Sequence, residues 1–379
     1  MTITTRAHYD TALQALGICV SARIPVLLWG NPGEGKTAVV ESAREHGWAV
    51  ETVIISQSEP SDFAGLPVVG SDGSVHLAPP AWARRLAEHP GPSIAFLDEF
   101  SQAAPALQAA ALRPLTHYEV GSLKLPDTVS FVAAANPADV AAAGWELAAP
   151  TASRFVHLQW GMPYEVFSEG IVTGNWPAMP VYEIPRRYEA SLALERVLVS
   201  GFLQVRSSQL SAIPANPAER GGAFPTPRTW DYASRLAALA RAVDADDAVR
   251  QAVVAGCVGP PAAHEYLRWV DAQDLADPEH LLAVPELADF RGMRADRIFV
   301  TLQAVLSAVA RETTKERWIA AIELCSLAAK HGGIDPAVPT VRALMRPGLR
   351  PDGTPVPSSI TVFAPALIMA GLLPGTSPA

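Results

Sequence analysis

The chemistry most open to reading lies in Gly30-Asn31-Pro32-Gly33-Glu34-Gly35-Lys36-Thr37, which has the spacing Gly-x-x-x-x-Gly-Lys-Thr. Glycines admit backbone dihedrals closed to other residues, so peptide N–H groups can turn toward an anion and approach it closely. A lysine ammonium beside them supplies a full positive charge for β- and γ-phosphates, and a threonine hydroxyl can enter the shell of Mg2+. The eight residues together form a cradle for a nucleoside triphosphate. Cleaving the phosphoanhydride requires charge neutralisation and an oriented water. Asp98 and Glu99 end the apolar run Ser93–Leu97. Asp98 is expected in the metal shell with Thr37, and Glu99 as the general base on the attacking water. Asn136 ends a second apolar run, Thr128–Ala135, and could place that water or contact the γ-phosphate.

These groups meet only if the runs that carry them lie side by side. Pro25–Trp29 reads as a strand ahead of the glycine loop, and Ala38–Ala43 as the helix after it, extending to about Gly47. Further strands are expected at 49–56, 93–98, 128–135 and 154–160, with a helix over 7–22 before the first. Apolar strands alternating with helices predict an α/β fold. Its core is a five-stranded parallel sheet covered on both faces, with Asp98, Glu99 and Asn136 at the carboxyl edge. Hairpins are predicted over 66–77, around Asp72-Gly73, and over 117–125, and helices over 80–88 and 102–113. After about 163 the strand signal stops. Many prolines interrupt 162–227, around one helix near 186–204. Helical patterns follow at 228–242, 246–255, 262–273, 277–284, 296–311 and 315–331. The expected division is a nucleotide-binding α/β domain at 1–162, an all-helical lid at 163–285 and a helical extension at 286–379. The tail from Gly353 is uncharged and is expected to pack on the body.

Composition narrows the class. A net charge of −9 and the lack of a Lys/Arg run disfavour a nucleic-acid partner. The three cysteines, Cys19, Cys257 and Cys325, are far apart in apolar helical surroundings and read as buried thiols. The histidines lack ligand spacing and read as structural. No stretch is long and apolar enough to span a bilayer, and residues 1–6 hold no signal-peptide core, so a soluble cytoplasmic protein is expected.

Over roughly residues 8–240 the chain resembles the AAA+ ATPases, within them the MoxR-like group of dynein-related P-loop enzymes. Gly30–Thr37 resembles their Walker A motif, Phe96–Glu99 Walker B, and Ala134-Asn136-Pro137 sensor 1. Ala152-Ser153-Arg154-Phe155 is similar to the family's Asp-Arg-Phe position, and Pro225-Thr226-Pro227-Arg228 to sensor 2. The two hairpins look like the helix-2 insert and the pre-sensor-1 hairpin. Ser153 stands where the family has Asp, and Thr226 where it has Ser. The resemblance implies that Arg154 is an arginine finger reaching a neighbouring subunit's nucleotide. It implies that Arg228 touches its own nucleotide or a neighbour's, a choice the sequence leaves open. It further implies a homo-oligomeric ring, by analogy a hexamer. The ring would remodel a protein client, such as a von Willebrand factor A domain protein or a metalloenzyme needing cofactor insertion. The alternative is a scaffold whose assembly is gated by nucleotide, with little mechanical output.

Overall fold

The computed structural model describes residues 3–137, 144–273 and 275–372. Contacts group the chain into two compact units: residues 1–192 with 208–265, and residues 193–207 with 266–379. This grouping differs from a division at 163 and 286. The helices read as the first part of a lid belong with the sheet, and the helix Tyr188–Val205 runs from one unit into the other.

The first unit is built on nine strands: β1 (Val26–Trp29), β2 (Ala49–Ile54), β3 (Leu66–Val69), β4 (Val75–Ala78), β5 (Ser93–Asp98), β6 (Glu119–Val120), β7 (Leu123–Lys124), β8 (Val129–Ala135) and β9 (Val156–Gln159). Five of them form the expected parallel sheet, in the order β2-β5-β8-β1-β9. β8 is buried along its whole length, which is why its sequence shows no alternation. Alternate residues of the strands face opposite layers. Leu27, Leu97, Phe131 and Ala133 join a cluster with Trp82, Leu107, Leu115 and Phe155. The other face meets the N-terminal helix Arg6–Ser21, where Ser130 Oγ donates to the Val20 carbonyl at 2.8 Å. Thr5 caps that helix by accepting from the His8 amide.

β3–β4 and β6–β7 are the two expected antiparallel hairpins. The helix predicted over 102–113 is broken into a 3-10 turn at Phe100–Gln102 and helices at Pro105–Ala110 and Leu112–His117. Pro105 opens the first of these at a position where no backbone N–H is needed. Another helix, Tyr164–Thr173, lies in the proline-interrupted stretch. Its Tyr164, Phe167 and Ile171 are exposed, so the apolar pattern there marks surface rather than core. The helices Pro227–Ala242 and Asp247–Val258 pack on one another, and the second lies on β9. A Cβ at Gly256 would come within 2.8 Å of the His157 carbonyl, so only glycine allows that approach.

The second unit is helical. Ala295–Arg311, Lys315–Gly332 and Val338–Leu344 surround Trp318, whose indole N–H donates to the Leu344 carbonyl at 2.8 Å. Ile360, Phe363 and Leu367 of the uncharged tail are buried in this core, and the tail beyond Leu372 lies outside the described residues. All three cysteines are buried and unpaired, and burial pushes each thiol up from its ordinary range.

Candidate active site

β1 delivers the chain to Gly30, and the turn to helix Lys36–Glu41 follows at once. Gly33 and Gly35 take left-handed dihedrals, φ 82° and 76°, which side chains with a Cβ resist. Asn31 and Glu34 tie the loop to itself: the Asn31 amide and its Nδ2 donate to the Glu34 carboxylate at 2.9 and 3.0 Å. Trp160 Nε1 holds the Glu34 carbonyl at 3.0 Å, anchoring the loop to the end of β9.

Lys36 is buried, and its ammonium donates to the carbonyls of Gly30 (2.6 Å) and Asn31 (2.9 Å) and to Asn136 Oδ1 (3.0 Å). Burial lowers its pKa, opposed by the nearby Asp98 and Glu34 carboxylates. The Thr37 hydroxyl donates to Asp98 Oδ2 at 2.8 Å, across 61 residues of sequence. Asn136 is fixed in turn by Ser101, whose hydroxyl accepts from the Asn136 amide at 3.1 Å. Glu99 sits at φ 59°, a left-handed conformation that is costly for a residue with a side chain. Its carboxylate accepts a hydrogen bond from the Ser56 hydroxyl at the end of β2. Lys36, Thr37, Asp98, Glu99 and Asn136 therefore share one sheet edge, as expected. Ser56 and Ser101 carry no motif and were not legible in the sequence; their partners lie 43 and 35 residues away.

The site fits Mg2+–ATP on its own chemistry. The Thr37–Asp98 pair offers two oxygen ligands for a hard cation. Among the described residues no group of three or more His, Cys, Asp or Glu side chains could cage a metal. Magnesium suits such a place, since it takes one or two protein oxygens and completes its octahedron with waters and substrate phosphates. Beside the loop a cavity of about 940 Å3 is lined by Ile3, His8, Thr11, Trp29, Asn136 and Gln251, among others. Its lining is largely apolar, and the buried His8 Nδ1 has no hydrogen-bond partner among the described residues.

The two arginines lie elsewhere. β9 runs parallel to β1 with Val156 opposite Val26, so Arg154 stands at the amino edge while Gly30 follows the carboxyl edge. The four-residue length of β1 and β9 separates these edges, roughly 13 Å of strand. Arg228, at the start of helix Pro227–Ala242, donates from Nη1 to Ser153 Oγ at 3.3 Å and so shares the edge of Arg154. Neither guanidinium converges with Lys36 in its own subunit.

A model of the AAA domain (dynein-related subfamily) matches residues 25–155. No curated protein matches the sequence. Structural comparison aligns the chain with a proposed ATPase from Cytophaga hutchinsonii ATCC 33406. The two are 14% identical with a TM-score of 0.40, and the alignment covers 69% of this chain and 93% of that one. It also aligns with a full-length MCM homologue from Methanopyrus kandleri, at 18% identity and a TM-score of 0.34, covering 69% of this chain and 53% of that one. Residues 25–155 therefore carry an AAA domain of the dynein-related subfamily, and the phosphate-loop edge described above lies within it.

Proposed function

We propose that this chain hydrolyses ATP as a homo-oligomeric ring of the MoxR-like kind, converting turnover into remodelling of a protein client. Each nucleotide would lie between the carboxyl sheet edge of one subunit and the amino edge of the next. The observation that carries this reading is the separation of Arg154 and Arg228 from Lys36. A guanidinium that cannot reach its own triphosphate is useful to hydrolysis only on another subunit's.

Within a subunit, the loop amides and the Lys36 ammonium bind the β- and γ-phosphates, and the base occupies the cavity beside Trp29. Thr37 and Asp98 would hold Mg2+, which neutralises phosphate charge when bound. Glu99 accepts a proton from the attacking water, and Asn136 orients that water or the γ-phosphate. Arg154 and Arg228 of the adjacent subunit stabilise charge developing on the transferred group. The client is inferred to be a protein, by family analogy one with a von Willebrand factor A domain or a metalloenzyme. The chain's acidic charge supports a protein client over a nucleic acid.

The reading is tested by mixing Arg154→Ala subunits with Lys36→Ala subunits, each expected to be inactive alone. In mixed rings some interfaces join an intact phosphate loop to an intact Arg154, so partial ATPase activity should return. Mixed assemblies that form but hydrolyse nothing would remove the case for action between subunits.

A further inference from the structure

The guanidinium groups at the amino edge are held by neutral atoms. Arg154 Nε donates to Thr116 Oγ1 at 2.7 Å and its Nη1 to the Pro150 carbonyl at 2.5 Å. Arg228 Nη1 donates to Ser153 Oγ, and the Ser153 hydroxyl itself donates to the Pro150 carbonyl at 3.2 Å. Among the described residues neither arginine has a carboxylate within ion-pair distance. Many other arginines of the chain sit on carboxylates: Arg85 on Glu51, Arg113 on Glu119, Arg317 on Glu279. The contrast is sharpened by electrostatics, since burial and then the nearby Arg228 charge lower the Arg154 pKa.

Arg154 is half-buried beside the like charge of exposed Arg228 and has no carboxylate within ion-pair distance among the described residues, an arrangement that an anion arriving from outside would relieve. Ser153 matters here because it is buried, uncharged and bonded to Arg228. An aspartate would pair with Arg228 or Arg154 by a charge-assisted bond and hold the guanidinium against its own subunit. The buried serine supplies direction without charge. Thr116 does the same for Arg154 from the helix Leu112–His117. Its bond to Nε, with the Pro150 bond to Nη1, fixes the guanidinium plane. Among the described residues nothing accepts from Nη2 or from the second Nη1 hydrogen, which leaves them for a phosphate.

We propose that Thr116 and Ser153 are positioning residues for ATP hydrolysis: neutral hydroxyls that aim Arg154 and Arg228 without neutralising them, so that both meet a phosphate of the adjacent subunit at full charge. The proposal rests on the reading that Arg154 acts on a neighbour's nucleotide.

The test measures steady-state ATP hydrolysis by the full chain carrying Thr116→Val, Thr116→Ser, Ser153→Asp or Arg154→Ala. Nucleotide affinity and thermal midpoint are measured alongside. Thr116→Val keeps the shape and removes the acceptor; kcat should fall about tenfold while KM stays within about twofold, because the phosphate loop is at the other edge. Thr116→Ser restores the hydroxyl and should recover most of the loss. Ser153→Asp should lower kcat at least as far as Thr116→Val, with nucleotide affinity unchanged. If Arg154→Ala is inactive while Thr116→Val and Ser153→Asp turn over like the parent, the positioning role is wrong and the action between subunits stands. A loss in Thr116→Val that serine fails to recover also overturns it, pointing to packing alone. If Arg154→Ala itself turns over at the parental rate, the reading between subunits fails and the proposal falls with it.

Discussion

The two edges of the central sheet solve opposite electrostatic problems. At the carboxyl edge every charged group has a partner in its own subunit: Lys36 has two carbonyls and Asn136, Asp98 has Thr37, and Glu99 has Ser56. At the amino edge two guanidinium groups lie near one another with only hydroxyls and a carbonyl for company. The first edge is complete as a binding site. At the second, neither guanidinium lies within ion-pair distance of a carboxylate among the described residues, although Asp127 lines the same pocket as Arg228. A parallel sheet explains how both can exist in one domain, because every strand begins at one edge and ends at the other. The difference teaches that the sheet keeps a self-partnered set of polar groups at one edge and two guanidinium groups without an ion-pair partner among the described residues at the other.

The sharpest way to separate the edges is to disable chemistry at the first without touching binding. Glu99→Gln keeps the shape of the side chain and its bond from Ser56 but cannot take a proton. Turnover should drop by about 10³-fold, within the range expected for loss of a general base. Nucleotide affinity, set by Lys36 and the loop amides, should stay within a few-fold of the parent. Isothermal titration with ATP and a phosphate-release assay read out the two quantities independently. A variant that hydrolyses at the parental rate would mean that some other group orients the water.

The contrast between the edges also bears on what could be read in advance. The carboxyl edge was legible because its parts are local patterns. A glycine loop follows a strand, two acids end a fully apolar run, and an asparagine ends another. The burial of β8 and β5 turned those runs into neighbouring strands with one shared edge. The amino edge was legible only through family resemblance, since an arginine ahead of a strand has no chemistry of its own. Its supporting atoms were not legible at all. Thr116 is 38 residues from Arg154, and Ser153 is 75 from Arg228, so no spacing announces either contact. The same holds for Ser56 and for the cavity lined by His8 and Gln251, which the fold assembles from distant helices and strands. The helix Tyr164–Thr173 was not legible because most of its apolar side chains, Tyr164, Phe167, Ile171 and Val172, face outward, where periodicity no longer reports a core.

One buried side chain joins the edges directly. His157, in the middle of β9, accepts from Trp29 Nε1 at 2.9 Å through Nδ1 and pairs Nε2 with the Ala152 carbonyl at 2.9 Å. Trp29 precedes the phosphate loop, and Ala152 precedes Ser153 and Arg154. The bond from Trp29 requires the neutral ring, with the proton on Nε2, from which it donates to Ala152. Burial accordingly lowers its pKa from the ordinary 6.5 to about 4. The folded protein then declines a proton that the unfolded chain accepts between these values. Stability from this group is fully present above pH 6.5 and is lost as pH falls toward 4. The loss by pH 4.5 should be about 2.5 kcal/mol. Urea unfolding at pH 7 and 4.5 checks this against His157→Gln, which can accept and donate in the same places without titrating. The variant should lose less stability than the parent over that interval, and an equal loss would place the acid sensitivity elsewhere.

The smallest expected effect is also the one that joins the two edges through nucleotide. Association of subunits costs translational freedom and the ordering of side chains at the contact. A bound γ-phosphate offsets part of that cost by presenting an anion to Arg154 and Arg228 of the next subunit. Bonds between a guanidinium and a phosphate are charge-assisted on both sides and can be bidentate, which makes them about twice as strong as neutral ones. The net gain over a wet interface is expected to be about 1.4 kcal/mol, a tenfold tightening. ADP ends at the β-phosphate and should give little of it. In the Glu99→Gln variant, where ATP persists, light scattering coupled to gel filtration should therefore show larger species with ATP than with ADP or no nucleotide. Adding Arg154→Ala to that variant should erase the difference between ATP and ADP. Assembly that ignores the nucleotide would mean that the amino edge meets its anion only after the ring has closed on other contacts. Assembly that follows ATP even without Arg154 would assign the clasp to Arg228, whose bond to Ser153 keeps it at the same edge.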